Sequence, residues 1–255
     1  MKELTSFGPS LEQELARLNI ALSEQQRQLM NNLLDSYKRK WLRESWKSWK
    51  ESEYDKQKLE RALTLISEFQ YGHLYEVKVG ILLDQLAEEF SQKFSFGTPR
   101  ELANFLFRIK AMRGAMPEDY HNPLNSNLIY VIRQMRGIPL SLASIFILVG
   151  HRVGFDIEGI NFPGHFLARA RIGETMYIVD CFGGGRFLDE RDLVNLNTPT
   201  AISLRDILQL ECDAEAIVAR TLRNLVNAYK QENNVANVQL MTELLQSLEQ
   251  EPDDT

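Results

Sequence analysis

Most apolar residues in this chain recur every three or four positions, as in LERALTLISEF and VGILLDQLAEEF, which is the spacing of one face of an α-helix. The spacing predicts helices, in chain order, over residues 10–54, twice within 57–95, over 100–110, 125–135, 139–154 and 203–213, and as a pair within 215–250 broken at NNVAN. Three shorter runs predict strands over 156–161, 164–171 and 175–181. The chain is therefore predicted to be α+β, mostly helical with a small antiparallel sheet.

The segment MRGAMPEDYHNPLNSN, residues 112–127, is dense in turn-forming residues and is the strongest internal boundary in the pattern. We divide the chain into four segments. They are an N-terminal helical extension (1–54), the helical part of a core (55–118), the core itself (119–190) and a C-terminal helical segment (191–255).

The segment KRKWLRESWKSWK, residues 38–50, combines basic residues with all three tryptophans of the chain. On a helix the tryptophans share one face and the basic residues occupy the other. One interpretation is a helix that docks an acidic protein, a lipid surface or RNA. The other, which we favour, is an amphipathic helix lying on the protein's own core with a solvated basic face. The candidate partner contacts are Lys40, Trp41, Arg43, Trp46, Lys47 and Trp49.

Composition narrows the classes of function. The 255 residues carry a net charge of −6, so we expect no nucleic-acid partner. The longest apolar stretch, residues 138–150, is too short to span a membrane, and the N-terminus has no apolar signal core. Two cysteines without a CxxC pair and four scattered histidines indicate neither a disulfide framework nor a metal site. We therefore expect a cytoplasmic protein without a transmembrane segment, a metal or a cofactor.

The stretch GHFLARARIGETMYIVDCFGGG places a histidine and an aspartate on two consecutive predicted strands. A two-residue turn at 173–174, with glycine first, makes facing positions sum to 347. Asp180 then lies opposite Leu167, and His165 projects from the same face as Leu167. The two side chains become diagonal neighbours, close enough for the carboxylate to bind the imidazole.

Two interpretations of this pair remain open. In a catalytic site, the carboxylate of Asp180 fixes the tautomer of His165 and leaves the other ring nitrogen free to take a proton. In a structural role, a backbone carbonyl satisfies His165, and Asp180 caps the turn at 183–185.

A catalytic interpretation also needs a nucleophile. Cys181 follows Asp180 in the same strand and points to the opposite face, and Cys212 has nothing nearby in sequence to activate it. Ser141 lies in the first turn of the helix that starts at Pro139, where free N–H groups favour a developing anion. The same position is equally ordinary for a serine that caps a helix.

The motifs DYHNPLNSNL, RGIPLSLA, HRVGFDIEGINFPGHFLAR and YIVDCFGGG, in that order, resemble the SirB-type transglutaminase-like family over about residues 57–250. The resemblance implies a transglutaminase (papain-like) core, helices before it and a tetratricopeptide-like helix pair after it. His165 and Asp180 match the family's histidine and aspartate. The family's cysteine would fall within 137–141, where this chain has no cysteine and Ser141 is the available hydroxyl.

Three functions follow as hypotheses. The first, to which we commit, is a transglutaminase-like module that lacks the catalytic cysteine and binds a protein partner. An acidic partner is one candidate, and the contact would be made through the 38–50 helix or the C-terminal helices. The alternative is an acyl-transfer enzyme in which Ser141 attacks, His165 is the base and Asp180 orients it, with N–H groups of 139–142 as the oxyanion hole. A third is a ligand pocket formed by His165, Asp180 and the 119–127 loop, including His121 and Asn122.

Overall fold

A computed structural model describes residues 23–72, 75–162, 164–188 and 212–249. The helices predicted over 10–22 and 203–211 therefore lie outside the described residues. The helices are α1 (Glu24–Ser45), α2 (Asp55–Tyr71), α3 (Val79–Lys93), α4 (Pro99–Asn104), α5 (Leu128–Gln134), α6 (Pro139–Arg152), α7 (Ala214–Gln231) and α8 (Val235–Glu249). Side-chain caps define several starts: Ser23 and Thr98 each form a capping box with the third residue of the helix.

Four strands form one antiparallel sheet in the order β3 (Ile157–Ile160), β4 (Leu167–Ile172), β5 (Thr175–Asp180) and β6 (Arg186–Leu188). The predicted register is confirmed, because Ala168 pairs with Val179 and Ile172 pairs with Thr175. Gly173 supports the tight turn with a φ of +59°. The pattern missed β6, a strand of three residues that follows a glycine-rich turn.

A second, two-residue parallel pairing joins β1 (Arg113–Gly114) to β2 (Arg136–Gly137). The predicted break after α5 lies here, where Met135 adopts a left-handed φ of +53°. The chain therefore turns sharply before α6 begins at Pro139, a residue suited to the first helical position.

Helix α6 is the centre of the core. Every residue from Pro139 to Gly150 is buried, which agrees with the apolar run being an internal helix. It packs against α2, α3 and the sheet, so the residues at its N-terminus are held rigidly. At the C-terminal end of α6, Arg152 forms ion pairs with Glu60 on α2, at 2.8 Å, and with Asp84 on α3, at 2.6 Å. No helix among the described residues is long and apolar enough to cross a membrane.

The tryptophan segment is part of this core. Helix α1 ends at Ser45, and Trp46–Trp49 form a 3₁₀ turn in which Trp46 is 4% exposed and Trp49 is 1% exposed. This corrects the assignment of both residues as partner contacts, because their rings pack inside the protein's own core. The favoured interpretation, a helix lying on the core, describes this segment.

The basic face of the same segment is partly used within the chain. Arg43 forms a 2.8 Å ion pair with Glu243 on α8, and Lys40 pairs with Glu44 one turn along α1. Lys47 is exposed, and Trp41 is half-buried. The N-terminal and C-terminal helices therefore touch directly, and the described part of segment 1–54 is integrated with the rest.

The predicted boundary at 112–127 is instead a tightly held connection. Asn125, Ser126 and Asn127 are buried within or beside a 3₁₀ turn. The Asn127 amide donates to the backbone carbonyl of Ser67 on α2, and the Ser67 hydroxyl accepts the N–H of Leu128. Turn-forming residues predicted the loop correctly, but its buried polar groups bind α2 to α5.

Candidate functional site

His165 and Asp180 lie on the same face of the hairpin and form a hydrogen bond. The imidazole Nε2 is 2.9 Å from the Asp180 Oδ1. The side chains are 17% and 8% exposed, so the pair is partly screened from water but reachable. His165 lies in a bend two residues before β4, and Asp180 is the last residue of β5. The predicted His165–Asp180 contact is thus confirmed, although β4 begins at Leu167 and His165 lies outside it, not in a strand over 164–171 as predicted.

The carboxylate of Asp180 serves the turn as well as the imidazole. Its Oδ1 accepts the backbone N–H of Gly183 at 2.8 Å. Burial alone would raise its pKa, but the hydrogen bonds from His165 and Gly183 outweigh burial, and the pKa of Asp180 is lowered. An ionised carboxylate only accepts hydrogen bonds, so Nε2 carries the proton and Nδ1 is left as the free ring nitrogen. The capping role and the imidazole-orienting role therefore coexist in one side chain.

Aromatic rings cover the imidazole. The Phe182 ring lies edge-on to His165 with centroids 6.1 Å apart, and Tyr120 packs edge-on against Phe182 at 6.3 Å. Gly114 allows this approach, because a Cβ there would lie 2.5 Å from the Phe182 ring. The short β1–β2 pairing therefore fixes the position of the ring beside the His–Asp pair.

No hydrogen bond joins Ser141 to His165 among the described residues. The Ser141 hydroxyl is 4% exposed and donates to the carbonyl of Ile138 at 3.1 Å, one turn back in its own helix. It faces a small internal cavity of about 10 Å³ that His165 does not line. The predicted Ser–His–Asp site is therefore incomplete, because local hydrogen bonding within the first turn of α6 already satisfies the hydroxyl.

Neither cysteine supplies a thiolate. Cys181 is fully buried, and burial raises the pKa of its thiol well above the ordinary value. Burial also raises the pKa of Cys212 to about 12. Both behave as small buried apolar residues.

The third hypothesis combined the 119–127 loop with the His–Asp pair in one pocket, but the loop lines a cavity that the pair does not share. Loop residues Tyr120, His121 and Asn122 line a cavity of about 160 Å³ whose opposite wall is helix α7. Neither His165 nor Asp180 lines it. The sequence analysis missed the wall residues Asn224 and Asn227, whose signal is two amides three positions apart on one helical face.

Among the described residues, no three His, Cys, Asp or Glu side chains are placed to hold a metal ion together. The chemistry that the arrangement offers is therefore that of one oriented imidazole, held by a carboxylate beneath an aromatic ring.

Comparisons with known proteins identify the family. The family model described as Transglutaminase-like superfamily matches residues 78–223, more than half of the chain. The chain is 32% identical over 170 residues to a UPF0162 protein of Xylella fastidiosa, covering 64% of this chain and 60% of that protein. It is 28% identical over 136 residues to F-box only protein 21 of Mus musculus, covering 50% of this chain and 21% of that protein.

A UPF0162 protein of Vibrio cholerae is 35% identical over 68 residues, covering 26% of this chain and 25% of that protein. No solved structure matches. The match spans about three fifths of the Xylella relatives' own length. The family model covers α3 to the middle of α7, and with it the His–Asp hairpin. The chain therefore belongs to the transglutaminase-like superfamily.

Proposed function

We propose that this protein is a SirB-type member of the superfamily that has kept the His–Asp hairpin but not a working nucleophile, and that it acts by binding another protein. One observation carries the proposal. The Ser141 hydroxyl, in the position where the family's cysteine is expected, is buried and bound to the Ile138 carbonyl rather than to His165. The His165–Asp180 pair then acts structurally, closing the turn that joins β5 to β6.

Two further observations support binding. F-box only protein 21 contains the similar segment as about one fifth of its length, so the domain also occurs as one part of a larger protein. In this chain, α7 and α8 form an antiparallel helix pair next to the core, and α1 packs against that pair. We propose that the protein acts in the cytoplasm, where its two free thiols stay reduced.

An acyl-transfer activity through Ser141, His165 and Asp180 is the second candidate, and the 2.9 Å His165–Asp180 bond favours it. It requires the Ser141 side chain to leave the Ile138 carbonyl and turn toward the Nδ1 of His165. A hydroxyl without a hydrogen-bonded base is a poor nucleophile, so the two candidates differ in a measurable reactivity.

We expect no covalent adduct when the full chain is treated with a fluorophosphonate probe, because the hydroxyl has no base beside it. Intact-protein mass spectrometry of the wild type and of Ser141→Ala, at mildly acidic to alkaline pH, measures this. The absence of a probe-dependent mass increase in both proteins supports the binding proposal. An adduct on Ser141 that disappears in His165→Ala would establish the acyl-transfer candidate instead.

Partner binding is tested separately with the purified full chain as bait and chemical cross-linking. We expect a defined partner that is retained when Trp49→Phe is the bait, because that ring is internal. The double variant Lys40→Gln and Lys47→Gln tests the exposed basic face of α1 and the following turn. Reproducible failure to enrich any protein above an unrelated acidic bait would contradict the proposal.

A further inference from the structure

A cavity lies behind the glycine-rich turn that follows Asp180. It has a volume of about 490 Å³. One wall is formed by α4 and the π-helical turn Phe105–Ile109 that continues it, and the other is formed by the glycine turn and β6. The lining residues are Arg100, Glu101, Asn104, Arg108, Gly184, Gly185, Arg186 and Phe187.

The charge of this cavity is opposite to that of the whole protein. Three arginines and one glutamate line it, which gives a local charge of 3 − 1 = +2 in a chain whose net charge is −6. Glu101 is already committed, because its carboxylate accepts the backbone N–H of Thr98 in a capping box. The guanidinium groups therefore dominate the surface that a ligand would meet.

Two of the arginines are well placed to bind an anion. The Arg100 guanidinium lies over the Phe187 ring, 4.0 Å from its centroid, which orients the group and leaves its N–H donors at the edges. Arg108 is exposed, and the described residues give it no ion pair. Arg186 contributes the third charge from β6.

The glycine turn gives the cavity its shape. Gly185 has a φ of +72°, and a Cβ there would lie 2.5 Å from the Phe107 ring, so the glycine turn packs directly against the π-helical turn. Gly184 has a φ of +82° and nothing within 4 Å of a Cβ position, so this part of the turn is open. The Asp180 carboxylate holds the base of the turn through Gly183.

The spacing of the arginines indicates the size of the ligand. Arg100 lies in α4 and Arg108 in the π-helical turn Phe105–Ile109 that follows it, so the two residues are about two helical turns, roughly 10 Å, apart along the axis. A single phosphate or carboxylate is too small to reach both. Side chains on one face of an extended peptide recur every 6.6 to 6.8 Å or so, and acidic residues two and four positions apart therefore bracket this separation.

From this juxtaposition we propose that the cavity behind the glycine turn is a docking site for an extended acidic segment of a partner protein, bound through Arg100 and Arg108. The inference rests on the proposed binding function and names its contact surface and the character of the partner. Carboxylates at alternate positions pair with the guanidinium groups, and the open turn at Gly184 leaves room for the peptide backbone.

The test is fluorescence anisotropy of the full chain with a labelled peptide of about nine residues in which glutamate alternates with serine. We expect binding that weakens as salt is raised from about 0.05 to about 0.3 M. Arg108→Gln is expected to weaken it about three- to tenfold, and Arg100→Gln with Arg108→Gln more than tenfold or so. Arg61→Gln, an exposed arginine on α2 that does not line the cavity, is the matched control and should change affinity by less than about twofold.

Each of three controls has one outcome that would contradict the proposed docking site. The same peptide with glutamine in place of glutamate should not bind, and equal binding would remove the charge argument. Competition by millimolar inorganic phosphate as effective as the unlabelled peptide would identify a simple anion site. Loss of binding in Lys40→Gln with Lys47→Gln, but not in Arg108→Gln, would move the acidic segment to α1 and its following turn.

The two proposals fail differently. A cross-linked partner that is captured equally by the wild type and by Arg100→Gln with Arg108→Gln removes this cavity and leaves the binding function standing. Peptide binding without any captured partner would leave the cavity as a site for an acidic peptide and remove the proposed binding function.

Discussion

Replacing Trp49 by alanine is expected to lower the free energy of unfolding by about 3 to 5 kcal/mol, the range for removing a large aromatic side chain from a core. Trp49 is 1% exposed, and its ring packs edge-on against Trp46 with centroids 6.1 Å apart. Alanine leaves a cavity at the point where α1, the 3₁₀ turn and α2 meet. Urea unfolding followed by circular dichroism measures the change.

Trp49→Phe is the matched variant. The indole Nε1 of Trp49 is buried without a hydrogen-bond partner among the described residues, so phenylalanine removes an unsatisfied donor while keeping most of the ring. We expect a loss of less than about 1.5 kcal/mol, as for other substitutions that conserve most of the volume. An alanine variant as stable as the wild type would mean that this segment lies on the surface and is available to a partner.

Replacing Asp180 by alanine is expected to lower the free energy of unfolding by about 2 to 4 kcal/mol, because two partly buried donors lose their acceptor. One is the imidazole Nε2–H of His165, and the other is the backbone N–H of Gly183. Asp180→Asn keeps an acceptor oxygen but not the charge, so about half of the loss is expected. Thermal unfolding of the three proteins at neutral pH makes the comparison.

The same substitution changes how stability depends on pH. The pKa of Asp180 is lowered in the folded protein, so the unfolded chain binds the proton more readily. At pH values above the ordinary aspartate pKa of about 4, the ionised carboxylate therefore stabilises the fold. That contribution disappears as the pH falls through the lowered pKa. The stability difference between the wild type and Asp180→Asn should therefore be constant near neutrality and shrink in acid. A difference that grows in acid would contradict the ionised pair.

Gly183→Ala tests the turn independently of the charge. A Cβ at position 183 would collide with the Asp180 carboxylate. We therefore expect it to displace the cap and reproduce part of the Asp180→Asn loss. An unchanged stability would show that the carboxylate has room to move and does not hold the turn.

The hairpin and its His–Asp pair were predictable because their determinants are local. A glycine at the first position of a two-residue turn sets the register, and strand alternation then assigns each side chain to a face. The observed pairs, such as Ala168 with Val179, follow that arithmetic. The α+β class was predictable for the same reason, since helical spacing is written into consecutive residues.

The tryptophan segment shows the limit of prediction from the local sequence pattern. The sequence places Trp46 and Trp49 on one apolar face, but an apolar face can meet a partner or the protein's own core. The structure assigns it to the core because the Trp46–Trp49 turn packs against α2 and both rings belong to the buried cluster. Arg43 meets Glu243 across 200 positions, a pairing that no periodicity encodes.

Ser141 illustrates the same limit at the candidate site. Its place in the first turn of α6 was correct, and so was the suggestion that a serine there is ordinary. Which of two acceptors its hydroxyl chooses depends on the carbonyl of Ile138 being one turn away and on His165 arriving from a separate element. The hydroxyl donates to the nearer acceptor, the Ile138 carbonyl at the start of its own helix.

The sequence by itself determined most of the helices and strands, the hairpin register and the contact of His165 with Asp180. Each of these depends on residues that lie close together along the chain. Tertiary structure alone decided that the tryptophans are internal, that Tyr120, His121 and Asn122 line a cavity against α7, and that three arginines share one cavity. Those outcomes depend on how helices and sheet pack, and packing brings together residues whose separation along the chain carries no information about their contact.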